Sequence, residues 1–347
     1  MSVDPIANAI RRLAAHESLD GPSITRAFDA IMRGEGTPVQ LSALLMALRV
    51  KGETAAEVAG VVEALRSAMV VMPATSPEDL VDTCGTGGGS MTTFNISTAA
   101  ALLAAGLGVR VAKHGNRSFT SRSGSADVLE ALGVAIDMPP AAMARTLETA
   151  GIVFMFAPLM HPALRHIGPV RRELGVPTVM NIVGPLANPA RAGRQVVGVA
   201  EPARLALLAD ALATLGTRRA LVVHGAPGLD EISPIGETDV IEVRDGILTR
   251  WTIEPAMANI SGVTATDLAG GDPAMNAALV ELVLGGAGPP GARAAVVLNA
   301  AAALYVSGQE HDYEIAGARA RAGLGEGAGL AALRRLRAAS QRAAHPD

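Results

Sequence analysis

Cysteine occurs once in this 347-residue chain, at Cys84. That excludes an intrachain disulfide framework and a cysteine-built zinc site, and it fits a reducing, cytoplasmic setting. Cys84 itself reads as a small buried residue. Aromatic residues are also sparse, at 2%, and charged residues make up only 18%. The 49% hydrophobic fraction rests on Ala, Val and Leu, which suits small-residue helices packed on a sheet. There is no excess of positive charge, because 29 Lys and Arg face 33 Asp and Glu for a net charge of −4. A non-specific nucleic-acid binder needs a basic surface to neutralise phosphates, so that class is disfavoured. Long uninterrupted apolar runs are missing too. Gly106, Gly108 and Arg110 break the stretch Thr98–Ala112, and Arg293 and Asn299 limit Ala292–Val306. Both read as buried segments, not membrane spans. Met1–Asp20 has no apolar core of the length a signal peptide needs and is patterned as an amphipathic helix.

The length suits one large domain with a smaller companion. The first seventy residues carry only helix signals. Ile6, Ile10 and Leu13 recur at helical spacing, and Thr37-Pro38 places a cap and a first-turn proline before Leu41, Leu44, Leu45 and Leu48. Gly52 stops that helix, a second is expected over Glu53–Met69, and Pro73 and Pro77 mark a linker. Residues 1–72 are expected to form a helical domain, joined by helices near 160–190. Residues 78–347 then form an α/β domain with a mostly parallel central sheet flanked by helices. Strands are expected at Leu80–Thr83, Val109–Ala112, Ile152–Phe156, Val196–Ala200 and Leu221–His224, alternating with helical patterns. Val240–Val243 and Ile247–Trp251 flank Arg244-Asp245-Gly246 as a peripheral hairpin. The last eighty residues return to Ala-rich helix.

Two stretches carry chemistry. Asp82-Thr83-Cys84-Gly85-Thr86-Gly87-Gly88-Gly89 follows a strand and precedes a helix that starts near Asn95-Ile96-Ser97-Thr98. Clustered glycines let backbone N–H groups turn toward an anion, and a helix N-terminus adds its dipole. Glycines also serve tight strand-to-helix packing, so the turn alone leaves both readings open. It lacks the Gly-Lys-Ser/Thr of a P-loop and the full Rossmann fingerprint. The second stretch runs from Lys113 to Ser125 and packs three cations and five hydroxyls around glycines. That suits a loop wrapped around a phosphorylated ligand, beside the plainer reading of a solvated basic loop.

In order, Gly85-Thr86-Gly87-Gly88, then Thr93-Phe94-Asn95-Ile96-Ser97-Thr98, then Lys113-His114-Gly115-Asn116-Arg117-Ser118 with Ser123-Gly124-Ser125-Ala126-Asp127-Val128 resemble the anthranilate phosphoribosyltransferase family. Further matches follow at His161-Pro162, at Pro169–Gly175, at Asn181–Pro189 and at Gly228-Leu229-Asp230-Glu231-Ile232-Ser233. The resemblance covers nearly the whole chain, including its helical start. It implies a Mg²⁺-dependent enzyme of tryptophan biosynthesis that joins anthranilate to the ribose of phosphoribosyl pyrophosphate (PRPP), working as a cytoplasmic homodimer.

Carried over position by position, the resemblance puts Gly85, Gly88, Gly89, Thr93, Asn95, Ile96, Ser97 and Thr98 at the PRPP site. Lys113, His114, Gly115, Asn116, Arg117, Ser118, Phe119, Thr120, Ser121 and Ser125 join them. Ser97, Asp230 and Glu231 would hold Mg²⁺, a hard cation that takes oxygen ligands. Read without the family, Asp230-Glu231 is a pair of solvated acids in a Gly/Pro-rich loop. Gly85, Asn116 and Arg171 would bind anthranilate, the guanidinium fork pairing with its carboxylate and the surroundings of His114 and Pro185 forming walls. On sequence alone, Arg171 would pair with Glu173 on a helix surface. Lys113, Asn116 and Arg171 are the expected catalytic residues. A pyrimidine nucleoside phosphorylase shares the architecture, but its phosphate-loop signature is missing here, and a non-catalytic nucleic-acid-binding relative conflicts with the acidic charge. One position departs from the family: Gly89 stands where an aspartate is usual, which predicts an active enzyme with altered affinity.

Overall fold

The computed structural model of the chain describes residues 4–118 and 122–344. Four helices open it: α1 (Pro5–Ala14), α2 (Gly21–Met32), α3 (Pro38–Lys51) and α4 (Ala55–Ala68). Reciprocal capping boxes start α3 and α4. Thr37 pairs with Gln40 and Thr54 with Glu57, each satisfying two backbone donors that a helix start leaves free. Leu41, Leu44, Leu45 and Leu48 are all buried, as their spacing predicts.

A seven-stranded sheet follows: β1 (Val81–Gly85), β2 (Val111–Gly115), β3 (Ile152–Phe156), β4 (Arg194–Gly198), β5 (Arg219–Gly225), β6 (Thr238–Arg244) and β7 (Ile247–Ile253). Its order is β3-β2-β1-β4-β5-β6-β7, with the first five strands parallel and β6 and β7 antiparallel. The expected hairpin is therefore the edge of the main sheet. Asp245 and Gly246, both at positive φ, turn it with Arg244 opposite Ile247, the two-residue turn that matches strand twist.

Helices α5 (Ile96–Gly106), α6 (Ser125–Ala131), α7 (Pro140–Ala150), α8 (Ala157–Met160), α9 (Gly168–Leu174) and α10 (Leu205–Thr214) connect the strands. Helices α11 (Pro273–Leu284), α12 (Pro290–Ser307), α13 (Tyr313–Gly325) and α14 (Ala328–Ala344) complete the chain. One face of the sheet packs on α5, α12 and the C-terminal helices. The other face, through Val197, Val222 and Ile241, shares one hydrophobic cluster with α10, with Ile167 to Ala187 and with α1–α4. The helical bundle is thus packed onto the sheet through a continuous apolar core. Among the described residues, no helix is long and apolar enough to cross a membrane.

From β1 the chain winds one way to β2 and β3, and from β4 the other way to β5. The carboxyl ends of β1 and β4 therefore flank a topological switch point, the place where open α/β sheets hold their ligands.

Candidate active site

Gly85 ends β1 and Gly198 ends β4, and the two are paired across the sheet. A Cβ on Gly198 would lie 1.7 Å from the Asp230 carbonyl oxygen, and one on Gly85 would lie 2.4 Å from Asp230 Oδ2. Only glycine at both strand ends lets the Asp230-Glu231 segment lie across the switch point. Beyond Gly85, Gly87 and Gly88 take φ of +72° and +81°, a backbone region open to glycine. In that turn the Gly87 N–H donates to Asp230 Oδ2 at 2.8 Å.

Glu231 reaches the start of α5. Its Oε1 accepts from the Ser97 N–H at 3.0 Å, and the Ser97 hydroxyl also bonds to it. Lys113 is buried and points inward. Its Nζ donates to the Thr83 carbonyl and lies 3.3 Å from Ser97 Oγ. Ser97, Asp230 and Glu231 thus come together, with Lys113 as their neighbouring cation. Burial pushes the Glu231 carboxyl up to about 8, with Asp230 adding to the rise, and burial also raises Asp230. Burial lowers Lys113. Two half-buried acids disfavoured as anions, beside a serine hydroxyl, form an all-oxygen donor set that a hard divalent cation would compensate.

Asn95 faces the loop after β2. Its Nδ2 donates to the Ser123 carbonyl at 3.1 Å, and its Oδ1 accepts from Asn276 Nδ2 at 2.9 Å. Thr93 bridges to Ala269. The Ile96 side chain lies in the core, and its N–H bonds to the Phe94 carbonyl. Thr98 is buried with an unpartnered hydroxyl. The Asn116 carbonyl accepts from the Ser125 hydroxyl at 3.3 Å, and a Cβ on Gly115 would overlap that hydroxyl. Arg117 turns away from the strand end. It pairs with Asp127 at 2.8 Å and with Glu130, and lies over the Phe156 ring. Asp127 also accepts from the Ser118 and Gly124 N–H groups, so Arg117 braces the loop. Phe119, Thr120 and Ser121 lie outside the described residues.

His114 and His161 face each other at 5.0 Å between ring centroids. Each donates to a backbone carbonyl, His114 to Gly184 and His161 to Ala187, and each leaves Nε2 buried without a partner. Burial lowers them to about 3 and about 4, so both rings are neutral at pH 7. Arg171 on α9 forms no ion pair with Glu173 or any other carboxylate among the described residues. It approaches Asn181 Oδ1 at 3.5 Å, and burial lowers its pKa. A half-buried guanidinium without a counter-ion is suited to an incoming carboxylate.

Comparison with known proteins supplies the family. The helical bundle domain of a glycosyl transferase family matches residues 7–69, and that family's a/b domain matches residues 77–330. The anthranilate phosphoribosyltransferase of Thermomicrobium roseum is 48% identical over 345 residues, 99% of each chain. The chain belongs to the anthranilate phosphoribosyltransferase family. The Rubrobacter xylanophilus member is 47% identical and covers 98% of both chains. Among solved structures, the Thermus thermophilus enzyme superposes with a TM-score of 0.90 at 41% identity, covering 96% of this chain and 99% of that one. The Saccharomyces cerevisiae enzyme, in complex with PRPP and Mg, gives 0.86 at 25% identity, covering 98% and 99%.

Asp82 and Asn188 lie inside the quoted motifs with no role assigned to them, and Asn276 lies outside every motif. Asp82 is fully buried, accepting from Asn188 Nδ2 at 2.7 Å and from the His114 N–H at 3.1 Å, and burial pushes it up to about 6. Asn188 also donates to the Ala112 carbonyl and accepts from the Ala190 N–H. Asn276 on α11 orients Asn95. Each acts across a long sequence separation, which no local pattern reports.

Proposed function

We propose that this chain transfers the phosphoribosyl group of PRPP to the amine of anthranilate, giving N-(5-phosphoribosyl)anthranilate and pyrophosphate. The observation that carries this reading is the cluster at the β1/β4 switch point. There a glycine turn, a helix start, two half-buried acids and a buried lysine converge in a chain of this family.

PRPP would lie against the glycine turn Gly85–Gly89, the segment Thr93–Thr98 and the loop from Lys113, reaching Ser125. Ser97, Asp230 and Glu231 would hold Mg²⁺, whose charge would stabilise the departing pyrophosphate. Lys113 adds positive charge behind Ser97, and the N–H groups of the glycine turn supply fixed dipoles. Arg171 would take the anthranilate carboxylate, with Asn116 and the Gly85 backbone aligning the amine on C1. The nitrogen lone pair forms the new bond to C1, the bond from C1 to pyrophosphate oxygen breaks with its electron pair, and the surplus amine proton passes to solvent. An aryl amine is neutral at pH 7, so no strong base is needed, and His114, held neutral, is not assigned as one. A homodimer formed through the helical bundle and a cytoplasmic setting complete the reading.

Anthranilate fluorescence tests it. Purified protein should consume anthranilate only with both PRPP and Mg²⁺ present, and folded protein that consumes none under those conditions overturns the proposal.

A further inference from the structure

Four consecutive carbonyls beside the switch point are each held by a side chain from elsewhere in the chain. His114 donates to Gly184, Gln195 Nε2 to Pro185 at 2.8 Å, and His161 to Ala187. The fourth donor comes from the helical bundle. Arg66, in the last turn of α4, gives Leu186 two hydrogen bonds, from Nε at 3.2 Å and from Nη2 at 2.7 Å. The Pro185 carbonyl also faces Cys84 Sγ at 3.8 Å, which places this turn against the end of β1, one residue before the glycine turn. On its other side the chain leads back to Asn181, the residue that Arg171 approaches.

We propose that Arg66 is a positioning residue for the anthranilate pocket. From the helical bundle it fixes the Gly184–Ala187 turn and so sets the spacing between that turn, the His114–His161 pair and the glycine turn. The inference rests on the anthranilate reading above. A carbonyl held by a guanidinium fork has little rotational freedom, because both N–H groups converge on one oxygen in a fixed plane. Without that fork the Gly184–Ala187 turn keeps its bonds to Gln195 and the histidines but loses its only side-chain hydrogen bonds to the bundle among the described residues. Among the described residues the hydrogen bonds of Gly87, Ser97 and the two acids do not involve Arg66, so PRPP handling should stay intact.

The test is steady-state kinetics on Arg66→Gln and Arg66→Lys beside the wild type, with melting temperatures recorded for each. Arg66→Gln should raise the anthranilate KM about tenfold, on the scale of one lost charge-assisted hydrogen bond. Its PRPP KM and kcat should stay within about twofold. Arg66→Lys, which can restore one bond, should recover part of the loss. A role confined to stability would lower the melting temperature of both variants and leave the anthranilate KM unchanged. That result, or parallel rises in both KM values, overturns the positioning role while the functional reading stands. A wild-type protein inert toward anthranilate overturns the functional reading and this inference with it.

Discussion

Introducing the family's usual acid by Gly89→Asp makes the electrostatics of the site measurable. A Cβ at position 89 would lie 3.2 Å from Asp230 Oδ1 and 3.2 Å from the Gly228 carbonyl oxygen. Gly89 does not use a positive φ, so the backbone accepts a side chain and the neighbours need give only a few tenths of an ångström. The new carboxylate would come within roughly 4 Å of Asp230, where two like charges repel by about 1 kcal/mol in water and about 4 kcal/mol at an effective dielectric near 20. Gly89 is half-buried, so the penalty in metal-free buffer should fall between those limits, added to an Asp230 whose pKa burial already raises. Mg²⁺ bound to Asp230 and Glu231 would offset it. Chemical denaturation with chelator and with saturating Mg²⁺ reads both numbers, and Gly89→Asn serves as the uncharged control of similar size. Gly89→Asp should lose about 1–4 kcal/mol more than Gly89→Asn without metal, and Mg²⁺ should close most of the gap. Equal losses in the two variants, or a gap that ignores Mg²⁺, would refute the charge effect and leave only crowding.

Arg171→Ala should raise the anthranilate KM by roughly 10- to 100-fold, the range for a lost charged hydrogen-bond partner, and leave the PRPP KM nearly unchanged; equal effects on both substrates would remove Arg171 from the anthranilate site. Replacing Asp230→Asn and Glu231→Gln together should move the Mg²⁺ dependence of activity to higher concentration, and an unshifted metal titration would take the metal away from this pair. His161 reports on acid stability. Burial lowers its pKa to about 4 from 6.5, so between those values the unfolded chain binds the proton more readily and stability falls as pH drops. That amounts to about 2 kcal/mol between pH 7 and pH 5. His161→Gln should flatten the pH dependence of unfolding by that amount, and an unaltered slope would show that the ring is not held neutral.

The fold's architecture was legible because its signals are local. Leucines at helical spacing, cap residues and alternating apolar runs are each read within about a dozen residues. The strand ends were less so. Ile152–Phe156 is apolar throughout and coincides with β3, whereas β2, β4 and β5 extend into polar residues that an apolar-run criterion discards. Those residues belong to the sheet because each has a partner: Lys113 on Thr83, Gln195 on Pro185, Arg219 on Glu242. Ser97, Asp230 and Glu231 were named from motif resemblance, and the structure brings them together. The pairings of the scaffold behind them have no local signal. Arg66 and Leu186 are separated by 120 positions, Asp82 and Asn188 by 106, and Asn95 and Asn276 by 181. Arg117 shows the converse. Its place in a basic loop suggests a phosphate contact, yet Asp127 and Glu130 sit on the following helix where its guanidinium can reach both.

Product stoichiometry is the decisive check on the proposed transfer. Anthranilate, PRPP and Mg²⁺ would be incubated with purified protein, with pyrophosphate counted by phosphorus NMR and the aromatic product weighed by mass spectrometry. One pyrophosphate should be released for each anthranilate consumed, with a product heavier than anthranilate by one phosphoribosyl group. Pyrophosphate released without that product, or anthranilate left unchanged by folded protein, would contradict the transfer.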